Sequence, residues 1–262
     1  MLLLLSYIFI GLTAGLCAGM FGVGGGIIIV PALLYLFKWQ GITTTLAAHS
    51  ATATSLACML LTTLSAAATH WRKNNVHFSL FKRYFGALMV GSIIGVLLSM
   101  QLSGYFIRHV FGLFLLLIAW NLWNSRELLD DAPRQTATWA LNSVFLFISM
   151  LAALLGIGGG VLMVPYLNRQ GFRMVKAAAL ASVSTLTITL VGSATWIFMN
   201  HFGFSNQQNS WGYIQWHAVI FVGLAAMFAA PWGIKIATHL KNKWLKRMFA
   251  GLVLAIAIDL LW

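Results

Sequence analysis

Acidic residues are scarce in this sequence. Only four of its 262 residues are Asp or Glu, whereas sixteen are Lys or Arg and 60% are hydrophobic. Three of the acids, Glu127, Asp130 and Asp131, share one short segment, and the fourth, Asp259, lies near the C-terminus. No two carboxylates therefore share an apolar segment. This weighs against a metal-cation transporter, a carboxylate-based proton pump and an intramembrane aspartyl protease, which place acids within the membrane.

The sequence also lacks the patterns of metal, nucleotide and nucleophilic sites. Its two cysteines, Cys17 and Cys58, lie in separate apolar segments and are interpreted as small buried hydrophobic residues. No group of His, Cys and acidic residues has metal-ligand spacing, and no Ser, His and Asp arrangement stands out. No Lys-Ser or Lys-Thr pair follows the glycine-rich segments, as a P-loop requires. We therefore expect no catalytic residue, no metal, no cofactor and no enzymatic activity.

The sequence is instead dominated by long apolar segments. A membrane-spanning helix takes roughly 17 to 25 mostly apolar residues. The clearest apolar segments are 84–100, 110–123, 139–155, 213–234 and 248–262. The first residues, MLLLLSYIFIGL, have neither the basic region nor the cleavage site of a signal peptide, so we interpret them as a retained helix. The sequence predicts an all-α polytopic membrane protein.

The formal net charge of +12 invites an interpretation as a nucleic-acid-binding protein. The Lys and Arg residues, however, lie in short loops between apolar segments, where such residues determine orientation in the membrane. We therefore predict a lipid bilayer as the surrounding partner and no nucleic acid.

An internal repeat organises the chain. The string GVGGGIIIVPALL at 22–34 returns as GIGGGVLMVPYL at 156–167, an offset of 134 residues, and ATATSL at 51–56 returns as ASVSTL at 181–186. The pairs Gly91 and Ala229, and Gly95 and Gly233, also correspond. A repeat of this kind predicts two halves with the same series of elements. We assign residues 1–125 to the first membrane repeat, 126–138 to a cytoplasmic linker and 139–262 to the second membrane repeat.

Equivalent loops of the two halves carry opposite charge biases. The loop at 69–83 has four Lys and Arg and its counterpart at 201–212 has none, whereas the next loop has only Arg108 in the first half and five basic residues in the second. Because basic loops face the cytoplasm, the halves are predicted to be inverted, each with a broken re-entrant glycine-rich helix pair plus three crossing helices. Both termini, Lys38 and Arg108 then lie outside. A parallel repeat of four plain crossings per half is the alternative, but it gives equivalent loops the same bias.

Two glycine clusters interrupt otherwise strongly apolar sequence and are the first candidate site. Three consecutive glycines destabilise a helix, so we predict a break at membrane depth, where the freed amides of the next helix face a bound anion. The alternative is that these glycines only allow close helix packing, the role we prefer for Gly91 and Gly95. Valine at Gly25 or Gly159 is expected to abolish binding, and Gly91→Ala is expected to be mild. The predicted binding glycines are Gly22, Gly24, Gly25, Gly26, Gly156, Gly158, Gly159 and Gly160.

Hydroxyl residues in the segments that follow the glycine motifs are the second candidate set. Hydroxyls donate hydrogen bonds to an anion without bringing a charge into lipid, although their commonest use is to bond carbonyls of their own helix. His49, at the start of the first row, is either an anion counter-charge or proton carrier, or a structural histidine. The predicted binding residues of this set are His49, Thr52, Thr54, Ser55, Ser182, Ser184 and Thr185.

The strings GMFGVGGGIIIVPALL and LLGIGGGVLMVPYL, each followed by a helix with ATS-like sequence, resemble the sulfite exporter TauE/SafE family over nearly the whole chain. The second ATS-like element reads SVST at 182–185, which departs from the pattern. The resemblance implies a bacterial inner-membrane permease for sulfur-containing or carboxylate anions, often an exporter. A secondary transporter of a small anion, with sulfite or an organosulfonate as the leading substrate, is the predicted function. The alternatives are an anion channel and, more distantly, a membrane enzyme or assembly factor; no oligomeric state is predicted.

The inverted topology is testable by cysteine labelling. We expect cysteines introduced at Ser205 and Asn74, in a background without Cys17 and Cys58, to react with an impermeant thiol reagent from opposite faces, with Ser205 outside. Labelling of both positions from one face would contradict the inverted repeat.

Overall fold

The computed structural model describes residues 2–21, 24–72, 77–124, 138–172, 174–201, 213–239 and 242–261. Every regular element in these ranges is an α-helix. Gly22 and most of the predicted linker lie outside the described residues. The helices are α1 (Leu2–Phe21), α2 (Gly26–Trp39), α3 (Thr44–Arg72), α4 (Phe78–Gln101), α5 (Gly104–Asn124), α6 (Thr138–Leu155), α7 (Gly160–Arg169), α8 (Met174–His201), α9 (Trp216–His239) and α10 (Asn242–Leu261).

Six helices among the described residues are long and apolar enough to cross a membrane, namely α1, α3, α4, α6, α8 and α9. This confirms the prediction of an all-α polytopic membrane protein. The helices that follow the glycine motifs are shorter, with 14 residues in α2 and 10 in α7, or about 21 and 15 Å at the usual helical rise. Because α1 and α6 are each long enough to cross alone, the re-entrant pairing of α1 with α2 and of α6 with α7 stays a prediction.

The two halves fold into the same series of helices and are intertwined. The most extensive packing in the molecule joins α1 to α9 and α4 to α6, and exchange of the two halves converts the first pair into the second. The pairs α3 with α8 and α5 with α10 also pack closely, and each maps onto itself under the same exchange. The first helix of each half therefore rests on the fourth helix of the other half, and α3 and α8 lie between.

Glycines allow the close approach of these helix pairs. A Cβ on Gly95 would overlap the carbonyl oxygen of Met150 on α6, and a Cβ on Gly233 would overlap the carbonyl oxygen of Leu16 on α1. Leu16 and Met150 are equivalent in the repeat, so the same contact occurs twice. Small residues serve this purpose in membranes because dispersion contacts, rather than water exclusion, hold the helices together.

Repeated glycines also end the two short helices. Gly41 has φ +81° and Gly171 has φ +87°. After them, the amide of Ile42 donates to the carbonyl of Phe37 at 3.0 Å and the amide of Phe172 donates to the carbonyl of Leu167 at 3.1 Å. This is a Schellman motif, in which a left-handed residue closes a helix and pairs its last carbonyls. Comparison of the sequences of the two halves did not identify Gly41 and Gly171 as an equivalent pair.

The structure confirms that Gly91 packs helices but contradicts the expectation that Gly91→Ala is mild. A Cβ on Gly91 would overlap the Leu146 carbonyl oxygen, which is backbone of α6 and cannot rotate away. On the same helix, a Cβ on Gly86 would meet nothing within 4 Å. Gly86 and Gly91 of α4 therefore differ in environment and form a matched pair for comparison.

We expect Gly91→Ala to lower the free energy of unfolding by about 1–3 kcal/mol, the usual cost of overpacking. Gly86→Ala removes backbone freedom without a clash and is expected to leave stability unchanged or raise it by up to about 1 kcal/mol. Thermal unfolding of both variants in detergent measures the difference. Equal melting temperatures would contradict the close packing of α4 on α6.

Candidate functional site

The two glycine motifs form turns with related but unequal backbone geometry. Gly24 and Gly158, which are equivalent in the repeat, are both left-handed, with φ +80° and +73°. Gly25 is left-handed at φ +84°, whereas its equivalent Gly159 is right-handed at φ −73°. The backbone of Gly25 therefore favours glycine, whereas that of Gly159 is open to any residue. In the second half, the left-handed backbone that favours glycine occurs at Gly158.

Gly156 closes α6. It has φ +70°, and the amide of Ile157 donates to the carbonyl of Ala152 at 3.1 Å. This is again a Schellman motif, so the first glycine of the second cluster ends one helix and the later glycines begin the next.

The two breaks meet each other inside the protein. A Cβ on Gly26, the first residue of α2, would lie 2.6 Å from the Cα of Ile157, in the turn that precedes α7. Ile28 and Ile29 both donate to the carbonyl of Gly25, at 3.0 and 3.1 Å. Gly26 and Ile27 precede the first residues that donate hydrogen bonds within α2, so their amides need acceptors outside that helix. In α7, the first donors are likewise Leu162 and Met163, to the carbonyl of Gly159.

Met59 of α3 and Thr185 of α8 lie where the breaks converge. The Cγ2 atom of Thr185 lies 3.4 Å from a Cβ built on Gly24 and 2.8 Å from one built on Gly158. The sulfur of Met59 lies 3.7 and 3.3 Å from the same two positions. The nearest atoms around these glycines carry no charge. We call Gly24, Gly26, Gly158, Met59 and Thr185 the glycine centre.

Two equivalent residues contact the glycine turns, Ser55 through its hydroxyl and Thr185 through its methyl group. Ser55 donates to the carbonyl oxygen of Gly156 at 2.8 Å and is fully buried. Its repeat equivalent, Thr185, is 2% exposed, and its hydroxyl has no hydrogen-bond partner among the described residues. A buried hydroxyl without a partner costs free energy, so Thr185 differs from Ser55 in having an unused donor.

The other predicted hydroxyls hold the helices in place. Thr54 accepts a hydrogen bond from the amide of Gln215 at 3.0 Å, and its equivalent Ser184 donates to the hydroxyl of Tyr84 at 3.2 Å. These contacts attach α3 to the segment before α9 and α8 to α4. Thr52 and Ser182 donate to carbonyls of their own helices, those of His49 and Ala178. Thr52 also lies against Gly156 through its Cα.

His49 has a structural role, because its ring bonds main-chain carbonyls and packs against aromatic side chains. Its Nε2 lies 2.9 Å from the carbonyl oxygen of Ser99 and 3.1 Å from that of Leu102, and the ring packs beside Trp196 and Tyr213. The N–H thus bonds carbonyls at the C-terminal end of α4, which have no partner within that helix.

Sequence reasoning missed the hydroxyls one and two turns further along the same helices. Thr62 donates to the carbonyl of Met59 and reaches the carbonyl of Gly24 at 3.5 Å. Thr63 and Thr189 lie 3.4 Å apart through their hydroxyls and join α3 to α8. The sequence did carry a signal for Thr189, because this residue follows Thr185 by four residues and corresponds to Met59 in the repeat.

Comparison with known proteins agrees with this architecture. A "Probable membrane transporter protein" of Haemophilus influenzae is 26% identical over 259 residues, which cover 98% of this chain and 97% of that protein. Proteins with corresponding names from Methanocaldococcus jannaschii and Bacillus subtilis are 23% and 24% identical, each over 97% of this chain. No solved structure matches the chain.

The helical architecture and these relatives define the class: the chain is a multi-pass membrane transporter. Residues 7–260 match the sulfite exporter TauE/SafE family. The chain belongs to that family, which confirms the resemblance found in the two glycine motifs.

The Ser55 hydroxyl has a hydrogen-bond partner and the Thr185 hydroxyl has none among the described residues, so their removal is expected to affect stability differently. Ser55→Ala removes a buried hydrogen bond and is expected to lower the free energy of unfolding by about 1 kcal/mol. Thr185→Val removes an unpaired hydroxyl at nearly constant volume and is expected to leave the free energy unchanged or raise it by about 1 kcal/mol. Unfolding of both variants without ligand measures this. A large destabilisation by Thr185→Val would show that its hydroxyl has a partner in the protein.

Proposed function

We propose that this protein is a secondary transporter of a small anion in a bacterial inner membrane, with sulfite or an organosulfonate as its substrate and export as its direction. The observation that carries the proposal is the contact between the two glycine breaks, which places the beginnings of α2 and α7 in one buried region. Membership of the sulfite exporter family supports this substrate class.

The glycine centre suits an anion for electrostatic reasons. The beginning of a helix exposes unpaired amides and a partial positive charge, and each such end stabilises a negative charge by about 0.3–2 kcal/mol. Two ends acting on one ligand, in a region with little water, hold an oxyanion without a buried Lys or Arg. The unpaired hydroxyl of Thr185 adds one donor.

The binding residues we propose are a subset of those predicted from sequence. Gly24, Gly25, Gly26 and Ser55 form the first side of the site, and Gly158, Gly159, Gly160 and Thr185 form the second. The hydrogen bonds of Thr54, Ser184 and His49 assign these residues to helix positioning.

Alternating access requires two bodies that move against each other around this site. Since α1 rests on α9 and α6 rests on α4, the moving bodies combine helices from both halves. We propose that the α1 and α9 pair and the α4 and α6 pair rock about the contact of α3 with α8, as in other repeat-built transporters. A substrate or ion gradient supplies the energy. Both termini lie outside in this arrangement.

The rival function is an anion channel, and a membrane enzyme or assembly factor is a more distant one. Counterflow separates carrier from channel: preloading proteoliposomes with unlabelled sulfite should accelerate uptake of labelled sulfite by a carrier and not by a pore. Uptake that is indifferent to preloading would favour the channel.

Ligand binding tests the glycine centre directly. We expect sulfite or a sulfonate, but not a carboxylate of similar size, to raise the melting temperature of the purified protein in proportion to the logarithm of its concentration. Thr185→Val should weaken binding about 10- to 100-fold, because a hydrogen bond to a charged group contributes about 1.5–3 kcal/mol.

Thr187→Val is the matched control for this measurement. Thr187 lies on the same helix, and its hydroxyl donates to the carbonyl of Val183 in its own helix. Binding should be unchanged in this variant. Equal affinity of the two valine variants would place the anion site elsewhere.

A further inference from the structure

Arg108 is a second feature that calls for an anion. It lies in the first turns of α5, where Nη2 donates to the main-chain oxygen of Asp259 on α10 at 3.1 Å. Its Nε atom is buried and has no hydrogen-bond partner in the part of the chain that the structure describes. A guanidinium with a buried unpaired N–H is costly in a protein, and more so near lipid. The residue therefore has one neutral acceptor and an unused donor.

Among the described residues, no acidic side chain compensates the charge of Arg108. The only acidic residue that the structure describes is Asp259, whose side chain is exposed and which offers Arg108 its main-chain oxygen. The nearby Lys38, at the end of α2, interacts with Arg108 as a like charge. Two cations with little opposing charge create a positive potential, which attracts anions into an apolar recess.

A narrow pocket adjoins Arg108. Its walls include Pro31 of α2, Ala48 and Thr52 of α3, and Phe111 of α5. Thr52 separates this pocket from the glycine turn of the second half, since its Cα lies against Gly156. The pocket thus lies one side chain away from the turn that leads into the glycine centre.

From this geometry we infer that the pocket at Arg108 binds an oxyanion and is an entry or exit site for the transported solute. The inference rests on the proposed function for the identity of that solute. A guanidinium pairs two oxygens of a sulfur or phosphorus oxyanion with parallel N–H groups, a geometry that an ammonium does not reproduce. A lipid headgroup phosphate offers the same chemistry. The solute is the ligand we assign because the pocket leads toward Thr52 and Gly156.

The test is equilibrium binding of labelled sulfite to the protein purified in phospholipid-free detergent, combined with initial uptake rates in proteoliposomes. We expect two bound equivalents in the wild type. Arg108→Gln should lose one equivalent and lower kcat/KM about tenfold, while Thr185→Val should lose the other. Arg108→Lys keeps the charge and is expected to have an intermediate effect. Lys176→Gln, which removes an exposed charge at the start of α8, should change neither measurement.

Each outcome decides between the two sites. If Arg108→Gln keeps both equivalents while Thr185→Val loses one, the inference is overturned and the proposed function stands. If only Arg108→Gln loses an equivalent, the Arg108 site stands and the glycine centre fails. If phosphatidylglycerol stays bound in mass spectra only when Arg108 is present, and Arg108→Gln loses no bound sulfite, the pocket is a lipid site. That result would overturn its assignment as an entry or exit site for the solute. Should Arg108→Gln not fold, Arg108→Lys with unaltered sulfite binding and uptake overturns the inference.

Discussion

In a lipid bilayer, every backbone polar group that leaves a helix must find a partner inside the protein. This constraint accounts for the arrangement around the two glycine motifs. Gly156 ends α6 in a motif that pairs the carbonyl of Ala152, and Ser55 donates to the carbonyl of Gly156 itself. On the other side, Gly26 packs directly on the backbone of Ile157. Each break is thus covered by residues of the opposite half.

The same requirement explains why the halves are intertwined. A break can be shielded only by a rigid neighbour, and each half supplies that neighbour for the other. The pair α1 with α9 and the pair α4 with α6 approach closely because Gly95 and Gly233 have no Cβ at the contact. A rigid packing of this kind favours movement of whole helix pairs over bending within one half. The site that we propose at the contact of α3 with α8 lies between these pairs.

Full charges and the glycine centre lie in different parts of the protein. The nearest atoms around the glycine centre are uncharged, so the attraction for an anion that we propose there comes from helix ends and a hydroxyl, which cost less to bury than Lys or Arg. The cations Lys38 and Arg108 lie instead near the end of α2 and the start of α5, and Arg108 lines a narrow pocket. In the proposed mechanism, full charges attract an anion into this recess and helix dipoles hold it at the centre, without a strong ion pair that would oppose its release.

Composition and the strings repeated in register were enough to predict the membrane environment, the two related halves, the glycine breaks and the family. Which hydroxyl residues contact the breaks became visible only from the packing of the helices. Thr54 and Ser55 are adjacent in sequence, yet one holds the segment before α9 and the other holds the glycine turn. Gly25 and Gly159 are equivalent in the repeat, yet they differ in the sign of φ, and Gly91 is tighter than its neighbour Gly86. These differences could not be predicted because helical periodicity specifies the direction of a side chain about its own axis, whereas its partner depends on how distant helices rotate and pack against that axis.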